Sequence, residues 1–105
     1  MDRIKLKNLE KAGYRVTDTQ GFLRLSAAEA ALIEIKLVLA ARLRIVRIEK
    51  GVSQIELAKR LGSSQSRVAK MEAATSDVSL DLIFKALLAL GEDPKKLGKT
   101  IAKAA

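Results

Sequence analysis

The chain has 105 residues, with 20 Lys or Arg against 12 Asp or Glu, and its net charge of +8 calls for an acidic partner such as nucleic acid, an anionic membrane or an acidic protein. Nearly half the residues are apolar and only 3% aromatic, a composition that suits one small all-helical domain with a modest core. There is no His and no Cys, which removes the usual general base, a thiolate nucleophile, zinc folds and disulfide scaffolds. With no glycine-rich phosphate loop, carboxylates scattered over helix surfaces and no spacing that gathers Ser with Lys in a pocket, neither enzymatic activity nor a cofactor or metal is expected.

Residues 1–25 differ from the remainder. Ile4, Leu6 and Leu9 lie among Arg3, Lys5, Lys7 and Lys11 without an unbroken apolar run, so the stretch is no secretory signal and the protein is expected to stay in the cytoplasm. Tyr14, Val16, Phe22 and Leu25 follow, around turn-prone Asp18 and Gly21, and the alternation at Tyr14 and Val16 permits a brief strand. These side chains are too apolar for a simple linker. The segment reads as an arm, either folded back on its own domain or docked on a protein partner through the aromatics.

Ser26 with Glu29 three residues on is a capping box, opening a helix that can run to about Lys50 without Gly or Pro. Its run from Ala30 to Ala41 is strongly apolar, but Glu34 and Lys36 interrupt it and it is too short to span a bilayer. Leu39, Leu43, Val46 and Lys50 follow one side, and Ile33, Leu37, Ala41 and Ile45 or Ile48 another. A helix apolar on two sides must bury both, so one side is expected to cover the helices that follow and the other to meet the arm or a second subunit.

Gly51 and Val52 lead to Ser53, which makes a second capping box with Glu56. Leu57, Ala58 and Leu61 fall on one face of the helix it starts, and Gly62 supplies the left-handed residue that ends it. Ser63 and Ser64 then offer N-caps for a third helix, with Val68 and Met71 inward and Gln65, Ser66, Arg67 and Lys70 outward. Two short helices joined by so brief a turn make a helix-turn-helix unit, whose second helix reads base edges from its first turns. Gln suits adenine and Arg or Lys suit guanine. The same pattern also fits a helical hairpin with a merely solvated polar face. After Glu72 the loop AATSDVS precedes an N-cap at Ser79 and a strongly apolar fourth helix (Leu80, Leu82, Ile83, Phe84, Leu87, Leu88, Leu90) that Gly91 ends. Asp93 before Pro94 starts a fifth helix through Leu97 and Ile101, ringed by Lys95, Lys96, Lys99 and Lys103.

The stretch SQIELAKRLGSSQSRVAKME resembles the helix-turn-helix of the phage Cro and lambdoid repressors, the XRE-type regulators, and the resemblance covers most of the chain from about Ala28. The wording SSQSRVAKME followed by VSLDLIFKALLALG is most similar to HigA-type antitoxins of toxin-antitoxin systems. The resemblance implies an all-α, five-helix lambda-repressor-like domain over residues 26–105, with a long first helix and the arm 1–25 ahead of it. It implies a partly buried ion pair between Arg47 and Glu72. It also implies contact with double-stranded operator DNA through Gln54, Lys59, Ser64, Gln65, Ser66, Arg67 and Lys70, with Thr75 and Ser76 of the loop at the backbone. The chain departs from the family in carrying Ala74 where related domains often have Gly, which leaves the loop's path open.

A homodimer is expected, because two recognition helices must meet successive major grooves. Leu32, Ile33 and Leu37, or Leu97 and Ile101, are the candidate dimer surfaces. The specific role implied is an antitoxin that represses its own operon and neutralises a RelE/HigB-like toxin, with Tyr14, Val16, Phe22 and Leu25 on the toxin. The alternatives are a stand-alone repressor of a prophage or mobile element and, from a different class, a helical protein-interaction adaptor.

Overall fold

Each helix among the described residues begins where a short polar side chain can cap it. In the computed structural model, which describes residues 26–104, five helices follow in order: α1 (Ala27–Glu49), α2 (Gln54–Leu61), α3 (Gln65–Ala73), α4 (Leu80–Ala89) and α5 (Pro94–Ala104). Ser26, Ser53, Ser64 and Ser79 accept hydrogen bonds from the backbone N–H groups of Glu29, Glu56, Arg67 and Leu82, and Asp93 accepts from Lys96 at 2.8 Å. Each cap satisfies a donor the helix cannot, which is worth about 1 kcal/mol. In the boxes at Ser26 and Ser53 the glutamate takes the serine's own hydroxyl proton, at 2.9 and 3.3 Å, in place of the expected cap N–H.

Gly62 ends α2 at φ 63°, ψ 36°, so that Ser63 N–H reaches back to the Ala58 carbonyl at 2.8 Å and the chain turns into α3 within three residues. The same bend after α3 is made by Ala74, at φ 53° and only 1% exposed. A left-handed alanine costs about 1 kcal/mol or more, and here burial of its methyl group offsets part of that. The loop therefore keeps its turn without the glycine.

The core lies between α1 and the other four helices. Leu39, Leu43 and Val46 of α1, Leu57 of α2, Val68 and Met71 of α3, and Ile83 and Leu87 of α4 are all essentially unexposed. At about 1.5 to 3 kcal/mol for each large apolar side chain, this one cluster supplies most of the drive to fold. α1 packs against α3, α4 and α5, while α2 packs against α3 and α4. Arg42 of α1 and Glu92 of the turn before α5 hold the far end together, 3.3 Å apart with the glutamate side chain 5% exposed.

Two expectations change on contact with this packing. Leu97 is 3% exposed and belongs to the core under α5, so it offers nothing to a second subunit, and Ile101 packs half-buried beside it. Periodicity shows that α5 has an apolar face; only the packing shows that α1 already covers it. Lys50, placed with Leu39 and Leu43 by spacing, is exposed at the end of its helix. On the other side of α1, Ile45 and Ile48 stay exposed, Ile33 and Leu37 are half-buried, and Leu32 is 53% exposed. The arm, with Tyr14, Val16, Phe22, Leu25 and its expected strand, lies outside the described residues. No helix among the described residues is long and apolar enough to cross a membrane.

Candidate nucleic-acid interface

α3 buries Val68 and Met71 and turns Gln65, Ser66, Arg67 and Lys70 outward, all four exposed. Val68 and Met71 are three residues apart, so one stripe of a nine-residue helix faces the core and the rest faces away from it. Lys59 and Arg60 are exposed on α2, Ser76 is exposed in the loop, and Thr75 is half-buried. Ser64 uses its hydroxyl oxygen to cap α3, which leaves its proton to give to a phosphate.

Behind this face a chain of hydrogen bonds runs into the core. Arg47 of α1 grips Glu72 with two nitrogens, Nε to Oε2 and Nη2 to Oε1 at 3.1 Å, and its Nη1 donates to the Val52 carbonyl at 2.9 Å. Bonding to Glu72 raises the Arg47 pKa further above its ordinary value, against the opposing effect of burial. The two side chains are 12% and 6% exposed. Glu72 Oε1 also accepts from Gln54 Nε2 at 3.2 Å. A carboxylate only accepts, so the amide nitrogen of Gln54 must face it and the amide oxygen faces out. That oxygen accepts from Gln65 Nε2 at 3.3 Å. Gln65 keeps its own carbonyl oxygen and its second amide proton, the acceptor and donor that the adenine edge requires.

A second group forms in the loop. Lys70 Nζ lies 3.1 Å from Asp77 Oδ2, and the Thr75 hydroxyl donates to Asp77 Oδ1. The Thr75 hydrogen bond, then that of Lys70, holds the Asp77 carboxyl below its ordinary value. Lys36 of α1 donates to the Thr75 carbonyl at 2.7 Å, which ties the third turn of α1 to the same loop. Burial pushes the Lys36 ammonium down, and the charge of Asp77 opposes that shift. In the sequence Lys36 is only a break in an apolar run, and no local pattern marks Asp77. The signal for Lys36 was present: a lysine on the Leu39 and Leu43 side of α1 needs an acceptor when it is buried.

A family model described as helix-turn-helix matches residues 43–97, just over half of the chain, from the second half of α1 to the first turn of α5. No curated protein and no solved structure matches.

Proposed function

This chain belongs to the XRE-type helix-turn-helix family of DNA-binding transcriptional regulators, and we propose that it reads operator DNA with α3 as a homodimer and serves as the antitoxin of a toxin-antitoxin pair. The observation that carries the DNA-reading half is the exposed row Gln65, Ser66, Arg67 and Lys70, with Gln65 oriented from behind by Gln54. In this reading Gln65 and Arg67 contact base edges. Gln54, Lys59, Ser64, Thr75 and Ser76 contact the backbone, which fixes register without carrying sequence information. Leu32, 53% exposed near the start of α1, with half-buried Ile33 beside it and Leu37 packed along the edge of the core, is the dimer surface left once Leu97 is assigned to the core. Replacing Gln65 or Arg67 by Ala is expected to cost about 1 to 3 kcal/mol on the preferred operator and to relax the preference at one position. Selection of binding sites from a random duplex library measures it; an unchanged consensus in both variants means another element does the reading.

The antitoxin half is supported by the resemblance of SSQSRVAKME and VSLDLIFKALLALG to HigA-type proteins and by the apolar residues of the arm. The family match begins at Leu43, so residues 1–42 are additional to the matched region. An arm that orders on a RelE/HigB-like toxin buries Tyr14, Val16, Phe22 and Leu25 there. A chain starting at Ser26 is then expected to fold and bind the operator but to lose neutralisation of the toxin encoded beside it. Growth rescue during toxin expression decides the matter: a truncated chain that still rescues removes the arm from the interface.

A further inference from the structure

Lys70 shares the exposed face of α3 with Arg67, yet its ammonium is already engaged by Asp77 at 3.1 Å. The other carboxylate oxygen accepts the Thr75 hydroxyl, and the charge of Asp77 is felt at Lys36, whose Nζ is bound to the Thr75 carbonyl. An ammonium and a hydroxyl thus converge on one singly charged group with two equivalent oxygens. A backbone phosphodiester, with one negative charge and two non-bridging oxygens, presents the same chemistry. Lys70 and Asp77 are both half exposed, at 50% and 56%, so the pair is weak and open to exchange. The backbone that carries the carboxylate is nonetheless held, because the loop is pinned on either side by buried Ala74 and Val78.

We infer that Asp77 is an internal stand-in for a DNA phosphate: in the free protein it occupies the donor pair of Lys70 and Thr75, and on binding a phosphodiester takes those donors while the carboxylate swings into solvent. The inference rests on the reading of α3 as the DNA-facing helix. Its consequence is that Asp77 weakens binding to every sequence alike, since the group it mimics carries no base identity. It also keeps Lys70 from binding stray anions when no DNA is present.

The test is Asp77→Asn, which removes the charge while leaving an amide oxygen for the Thr75 hydroxyl. The probe is a mixed-sequence duplex of about three helical turns. Fluorescence anisotropy across a salt series should show the variant binding about threefold to tenfold more tightly at low salt, with the advantage shrinking as salt rises. Lys70→Ala should abolish the gain in the Asn background and should cost the parent less than it costs the Asn variant, because in the parent the phosphate contact is made at the expense of the contact with Asp77. Asp77→Ser serves as a second neutral variant, and thermal unfolding of each chain reports folding. If a folded neutral variant binds no more tightly than the parent, or if Lys70→Ala costs the parent as much as it costs the Asn variant, the stand-in role is wrong. A parent that binds no duplex removes the DNA-facing reading and this inference with it, whereas a parent that binds while neither neutral variant gains removes the inference alone.

Discussion

Between about 50 and 200 mM salt, operator affinity is expected to fall by roughly three to five powers of ten. The expectation follows from what covers the outer face: Lys59, Arg60 and Lys70 are exposed cations, and Ser64, Thr75 and Ser76 carry hydroxyls beside them. Doubled in a symmetric dimer, the three cations make six charged phosphate contacts, the lower end of about 6 to 10, and each releases condensed counterions from the duplex while the hydroxyls add neutral hydrogen bonds. Titrations at several salt concentrations give the slope directly. An affinity almost independent of salt would mean that the face meets apolar surface, and no binding to any duplex would favour the adaptor reading.

Glu72→Ala should destabilise the fold by about 3 to 5 kcal/mol, measured by urea unfolding, because it leaves the Arg47 guanidinium in place without its carboxylate. For a domain whose whole stability is about 5 to 15 kcal/mol, that is a loss on the scale of the fold itself. Replacing both partners by Met or Leu is expected to be nearly neutral, since the desolvation of two charges disappears together with their attraction. The double replacement would still blunt operator preference, because Gln54 loses the acceptor that orients it. A single Glu72→Ala chain that loses less than about 1 kcal/mol would show that water reaches Arg47 and that the pair is a surface contact in practice.

The parts of this structure legible in the sequence are those written in neighbouring residues. Ser26, Ser53, Ser64, Ser79 and Asp93 announce helix starts because a cap bonds within three residues of itself, and Gly62 announces a stop because its conformation is nearly its own. What spacing could not convey is which surface covers which. Leu97 looked available for a dimer because an apolar stripe says nothing of its neighbour, and α1 turned out to be that neighbour. Arg42 with Glu92 and Lys36 with the Thr75 carbonyl join residues 50 and 39 positions apart, beyond the reach of any local pattern. Ala74 is a different case. The turn it makes usually calls for glycine, so the residue type concealed a conformation that the packing around Val78 and Met71 holds in place.

The hydrogen-bonded path from Arg47 through Glu72 and Gln54 to Gln65 bears on how the reading head can be moved to another protein. Engineers who graft recognition residues commonly carry across the outward positions of one helix and leave the host scaffold untouched. Here the Gln65 amide, proposed to meet the base, is aimed by a residue on α2, which is aimed by the end of α3, which is held by α1. A graft of Gln65 to Lys70 alone delivers the side chains without their aim. The transferable unit is those residues together with Gln54, Glu72 and Arg47, and a host that lacks any of the three inherits the chemistry of the contact but not its selectivity.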